Sequence, residues 1–200
     1  IRHPEPRWLN RSCREWNSMN DSMLNRFSLT LELIRFSHTI FALPFALLGA
    51  VLAAGGWPNT WQLTWTILAC VFARSSAMLF NRLADQRFDT LNPRTRNWPL
   101  ASNQLNRRFV IGFWVCCSLG FIVSAAMLNR LAFYLSPLCL VILLGYSLTK
   151  RFTRYTHFIL GAALGLAPVG AWIGIRGSVD PLPFMLGLGV MGWVAGFDNI

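Results

Sequence analysis

Apolar residues run along this chain in six long blocks, near 34–55, 61–80, 109–128, 131–149, 156–175 and 183–200, with short polar stretches between them. Each block approaches the ~20 residues that an α-helix needs to cross ~30 Å of hydrocarbon. Lipid offers the backbone no hydrogen-bond partner but itself, so each block is expected as a helix. The fold class that follows is all-α, a polytopic transmembrane helical bundle. Pro44, Pro137 and Pro168 fall inside blocks, where a kink is tolerated. Gly161, Ala162 and Gly165 in the fifth block, and Gly189, Gly192 and Gly196 in the sixth, offer small faces for close helix packing.

Composition agrees with this pattern. Apolar residues make up 54% of the 200 positions and charged ones 13%, roughly half the usual charged share of a soluble domain. Such a chain cannot cover its surface with polar groups, which excludes soluble, disordered and collagen-like readings. Four of the five cysteines, Cys70, Cys116, Cys117 and Cys139, lie inside apolar blocks, and Cys13 stands in a polar leader. Without a C-x-x-C pair they read as small hydrophobes, neither a disulfide frame nor a metal site.

The formal charge of +10 is better read as membrane topology than as a nucleic-acid footprint, because it is sorted by loop. Residues 1–25 form a polar, Arg-rich arm ahead of the membrane domain of 26–200. Loop 81–108 carries Arg82, Arg87, Arg94, Arg96, Arg107 and Arg108, and loop 150–156 carries Lys150, Arg151 and Arg154. Loop 55–60 has no charge, and 177–183 is nearly neutral. The positive-inside rule then puts the arm and the two basic loops in the cytoplasm.

The eight acidic residues are placed with similar bias: Asp85, Asp89 and Asp198 all stand at cytoplasmic ends of spans. On one helix running from Trp61 through Leu91, Asn81 lies at about −20° from Arg74, Asp85 at about +20° and Asp89 at about +60°. Arg74 is inside the span, where a charge costs ~2.5 kcal/mol or more and normally marks function. Two carboxylates and an amide oxygen on one stripe are hard donors suited to Mg²⁺ that also holds substrate phosphates. The same pattern fits a solvated helix end in which Arg82 and Arg87 pair the acids. Asn92-Pro93 stops the helix, and Arg94-Thr95-Arg96-Asn97 follows, a run of phosphate donors or of positive-inside charge.

The segment Asn81-Arg-Leu-Ala-Asp85-Gln-Arg-Phe-Asp89, followed by Pro93-Arg-Thr-Arg-Asn-Trp-Pro-Leu100, resembles the first Asp-rich motif of the UbiA superfamily of intramembrane aromatic prenyltransferases. The resemblance covers nearly the whole chain. Arg35 to Phe45, with His38 near the mouth of the span, is similar to the family's first helix. Tyr146-Ser-Leu-Thr-Lys150-Arg151 is similar to its basic signature between helices four and five, and Gly161 to Trp172 to its fifth helix. Gly196-Phe197-Asp198 looks like the opening of the second Asp-rich motif.

The resemblance implies nine helices around a cavity open sideways to lipid, of which six are present. On that reading the chain, beginning at Ile1 and ending just after Asp198, is a fragment without the C-terminal part and inactive alone. Asn81, Asp85, Asp89 and Asp198 are the implied metal ligands. Asp85, Asp89 and Asp198 are the implied catalytic carboxylates. Arg74, Arg94, Tyr146, Lys150 and Arg151 are implied to bind the prenyl diphosphate. The implied reaction is Mg²⁺-dependent transfer of a polyprenyl group to an aromatic acid, 4-hydroxybenzoate or a dihydroxynaphthoate, in quinone biosynthesis. The implied setting is a multi-pass protein of the bacterial inner membrane, in contact with lipid, its site facing the cytoplasm and no nucleic acid as partner.

Two positions depart from the family pattern. Arg82 stands where many members carry Asp, and Trp98 where Arg is usual, which removes one cation from the phosphate side. Trp98 reads instead as an interface anchor at a helix entrance. The rival readings are a transporter or binding protein for an anionic solute with the same basic mouth, and a related prenyltransferase acting on haem or chlorophyllide.

Overall fold

The computed structural model describes residue 29 and residues 36–93, 95, 97–102, 104–149 and 156–197. The N-terminal arm, Arg94, Lys150, Arg151 and Asp198 lie outside these residues. The described chain forms six helices: α1 (Phe36–Ala54), α2 (Thr60–Leu91), α3 (Arg107–Leu128), α4 (Arg130–Thr149), α5 (Thr156–Arg176) and α6 (Pro181–Phe197). Each falls on one of the six apolar blocks. Four of them, α2 to α5, are long and apolar enough to cross a membrane, whereas α6 and the apolar part of α1 are shorter among the described residues.

Polar punctuation sets the helix ends. Asn59 caps α2 by accepting from the Gln62 amide at 2.7 Å, and Asn106 caps α3 by accepting from the Arg108 amide at 2.9 Å. Helix α2 continues past the apolar block for three further turns and stops before Asn92-Pro93, as the residues predict. Only Asn129 separates α3 from α4. Its Oδ1 accepts from the Ala132 amide at 2.8 Å, while its Nδ2 donates to the carbonyls of Ile173 and Gly174 at 2.7 and 2.8 Å. One amide side chain thus starts α4 and fastens the α3–α4 corner to the end of α5. Gly177, at φ +69°, turns the chain out of α5.

The closest pair of helices is α5 with α6; α3 packs along α2, and α1 along α5. Side chains are distributed inside out relative to a soluble bundle. Ala42, Ala46, Ala50, Ser76, Ser124 and Ser147 are buried, while Val141, Met185 and Leu188 are about two-thirds exposed. Lipid is as apolar as leucine, so helices associate here through small residues that let backbones approach, and large ones face outward.

Gly161 and Gly165 serve as expected. A methyl group on Gly165 would lie 2.5 Å from the Gly187 carbonyl oxygen, and one on Gly161 2.7 Å from that of Met191. The matching face of α6 is not the expected one: Gly189, Gly192 and Gly196 have open space beyond their Cα atoms, and Gly187 makes the approach. Helix α6 is apolar on every side, so its sequence carries no sign of which side meets α5. The described cysteines are free thiols. Trp61 Nε1 donates to the Met127 carbonyl at 3.1 Å, tying the start of α2 to the end of α3.

Candidate active site

A cavity of about 370 Å³ lies between α1, α2, α4 and α5, with Phe121, Ala125 and Leu128 of α3 also on its wall. Its existence follows from small side chains. Ala69, Ala73 and Ala77 recur at four-residue spacing on α2, opposite Ala163 and Ala167 of α5 and Ala42 and Ala46 of α1. The wall is mostly apolar; its polar members include Arg74, Asn81 and Tyr146 toward one end and Thr66 toward the other.

Arg74 is the strongest local charge. Its Nε is buried and finds no hydrogen-bond partner among the described residues. Tyr146 and Cys70 are near enough to act electrostatically on the guanidinium. An unsatisfied buried donor costs about 1–3 kcal/mol, more when charged. A cation held at that expense on a cavity wall is a ready anchor for an anion.

Asn81 lines the same cavity, and Asp85 and Asp89 continue its stripe about 6 Å and about 12 Å further along the α2 axis. The face expected from the sequence is therefore formed, with Arg74 about 10 Å deeper than Asn81. The competing reading, in which arginines pair the acids, is also partly realised. Arg82 Nη1 stands 4.0 Å from Asp89 Oδ2, whereas Arg87 is exposed.

Loop 92–106 folds back on this part of α2. Thr95 Oγ1 donates to the Asp89 carbonyl at 3.0 Å, and Gln86 Nε2 to the Leu100 carbonyl at 3.4 Å. Leu100 and Leu105 are buried in one cluster with Leu79 of α2 and Val110 and Cys117 of α3. The Arg82 guanidinium lies 3.6 Å over the Trp98 ring. The two positions that depart from the family pattern thus touch each other, and the Trp98 ring packs on Arg82. Sequence spacing gave no sign of this contact, because it depends on how a loop folds.

No group of three His, Cys, Asp or Glu residues among those described stands ready to cage a metal. The donor set on α2 is one amide and two carboxylates. It fits an ion such as Mg²⁺, which keeps several waters and takes only one or two carboxylates beside substrate phosphates. Asp198, Arg94, Lys150 and Arg151, the remaining expected site residues, and the side chain of His38 lie outside the described residues.

The sequence model of the UbiA prenyltransferase family matches residues 42–200. The chain belongs to that family. The 4-hydroxybenzoate octaprenyltransferase of Nitrosomonas eutropha is 32% identical over 177 residues, which cover 87% of this chain and 62% of that protein. The protoheme IX farnesyltransferase of Alkalilimnicola ehrlichii is 35% identical over 157 residues, 74% of this chain and 50% of that one. Among solved structures, the apo UbiA homolog of Aeropyrum pernix aligns at a TM-score of 0.73 with 35% identity, covering 81% of this chain and 62% of that one. A UbiA homolog from Archaeoglobus fulgidus bound to DMAPP and Mg²⁺ shares the fold at a TM-score of 0.64 and 22% identity, over 84% of this chain and 60% of that one. The chain spans about three-fifths of the octaprenyltransferase it matches, at 62%. Membership of that family and four helices long and apolar enough to cross a membrane make it part of an integral membrane protein.

Proposed function

We propose that the whole protein transfers a polyprenyl group from a polyprenyl diphosphate to an aromatic acid, 4-hydroxybenzoate or a dihydroxynaphthoate, on the route to ubiquinone or menaquinone. The observation that carries this reading is the continuity of the α2 stripe with the cavity: hard oxygen donors at the helix end lead past Asn81 and Arg74 into an alanine-lined apolar space. A diphosphate with a long hydrocarbon tail needs that sequence of surroundings. A solute transporter has no use for an apolar hollow of this size beside its anion site, and the acids stand at one end of α2, away from the middle of the span.

Asn81, Asp85 and Asp89 would hold Mg²⁺, with Asp198 opening a second donor set. The ion supplies Lewis-acid neutralisation of the diphosphate as it leaves. Arg94, Lys150, Arg151 and Tyr146 bind diphosphate oxygens, and Arg74 anchors negative charge at the cavity wall. In the transfer, the allylic C–O bond breaks with its electron pair going to diphosphate. A ring carbon beside the phenolic hydroxyl forms the new C–C bond, and its proton passes to a carboxylate or water. The apolar wall keeps water from the allylic carbon. The site opens to the cytoplasmic face of a bacterial inner membrane, because loops 81–108 and 150–156 carry the positive charge.

The test is prenyl transfer in membranes containing the full-length protein, with 4-hydroxybenzoate, a dihydroxynaphthoate and haem offered in parallel. Prenylation of a phenolic acid, lost with EDTA and regained with Mg²⁺, is expected. Transfer to haem alone would move the protein to the branch of its protoheme farnesyltransferase relative. Activity indifferent to EDTA would remove the metal.

A further inference from the structure

Arg82 follows Asn81 on α2 and is only 9% exposed. Its guanidinium meets the Trp98 ring at 3.6 Å and the Asp89 carboxylate at 4.0 Å. The second contact is an ion pair longer than a hydrogen bond, and the ring is the nearer of the two groups. The face of an indole attracts a cation through its quadrupole, most strongly where water is thin. The backbone that carries the ring is tied down. The Trp98 amide donates to the Thr95 carbonyl at 3.0 Å, and the Trp98 carbonyl accepts from both the amide and the hydroxyl of Ser102 at 2.9 Å. Pro99 and Leu100, next in the chain, are buried. Thr95 in turn is tied to the Asp89 carbonyl, so the loop that fixes the ring is fastened to the turn of α2 that carries Asp89.

An arginine that closed on Asp89 would form a charge-assisted pair with the oxygens that a divalent cation needs. We propose that Trp98 is a positioning residue that holds the Arg82 guanidinium back from Asp89, and so sets the affinity of the α2 donor stripe for a divalent cation. The inference rests on the reading of Asn81, Asp85 and Asp89 as cation donors. In it, the indole face shares the arginine's charge with the carboxylate, and the loop's fold sets the distance between guanidinium and carboxylate.

The test is direct binding of Mn²⁺ to the full-length protein in detergent, without substrate, read by electron paramagnetic resonance. Trp98→Leu is expected to weaken Mn²⁺ binding about two- to thirtyfold, the range that a lost cation–π contact gives. Trp98→Phe keeps a ring face and should keep most of the affinity. Adding Arg82→Met to Trp98→Leu removes the competitor and should restore binding to the wild-type level or better. Unchanged binding in Trp98→Leu overturns the proposal. So does a double variant as weak as Trp98→Leu, since the indole would then act only by supporting the loop. A wild-type protein that binds no Mn²⁺ overturns the cation-donor reading itself, a result distinct from both.

Discussion

Gly165 of α5 and Gly187 of α6 lie backbone to backbone: a methyl group on the first would stand 2.5 Å from the carbonyl oxygen of the second, and one on the second 2.8 Å from the carbonyl oxygen of the first. Neither helix can move aside without losing the rest of its contact with the other. Gly165→Ala is therefore expected to destabilise the folded protein by about 1–3 kcal/mol, the usual range for overpacking a tight site. Gly189→Ala and Gly192→Ala, which open onto empty space, should leave it unchanged. Thermal unfolding of the three variants in one detergent checks this, and equal losses in all three would refute the assigned face of α6.

A second expectation concerns Asp85, the middle member of the donor stripe. Asp85→Asn keeps the shape and removes the charge that a divalent ion uses. Turnover of the full-length enzyme should fall at least about ten- to a hundredfold, with the Mg²⁺ concentration for half-maximal activity shifted upward. A variant with normal turnover and a normal Mg²⁺ requirement would take Asp85 out of the site.

Much of the architecture could be read from the residues, and the reason is physical. Hydrocarbon thickness prescribes the length of each span, so six apolar blocks became six helices, and Asn92-Pro93 ended α2 where a pyrrolidine ring must. The stripe from Arg74 to Asp89 was legible because helical geometry alone sets it. The Arg82–Trp98 stack joins residues sixteen apart across the end of α2 and a folded loop, and Asn129 reaches carbonyls 44 and 45 residues away; local periodicity carries neither relation. The rotation of α6 was hidden for a different cause. An evenly apolar helix has no polar face to betray its outward side.

Asn129 yields a third prediction. Asn129→Ala removes two hydrogen bonds to the end of α5 and the cap of α4 together. At about 0.5–1.5 kcal/mol for each of the three bonds, the loss should come to about 1.5–4.5 kcal/mol. Asn129→Asp keeps the cap acceptor but sets a carboxylate against two carbonyl oxygens, and should fare no better. Chemical or thermal unfolding of both variants in detergent is the measurement, and a stable Asn129→Asp would show that the donor side of the amide is dispensable.

The α5–α6 turn gives a dependence on pH. Trp172 Nε1 and the Ser178 hydroxyl both donate to Asp180 Oδ2 at 2.8 Å. These bonds, the indole's first, hold the Asp180 carboxyl below its ordinary value of 3.8. A depressed carboxylate stabilises the fold above its unfolded pKa, and that contribution fades as pH falls through the lower folded value. The turn should thus be indifferent to pH from neutrality down to about 4 and loosen only below. Indole fluorescence, compared between wild type and Trp172→Phe, should report the change, and Asp180→Asn should abolish it. A transition near neutral pH would contradict the assignment.

The alanines at 69, 73 and 77 hollow the bundle by what they lack. The room inside is therefore a mould whose capacity is written in missing carbon atoms, apart from the amide of Asn81 on its wall and the carboxylates of Asp85 and Asp89 further along α2. A lineage can retune what the mould admits by thickening or thinning one rung of that ladder, leaving the polar groups of α2 untouched.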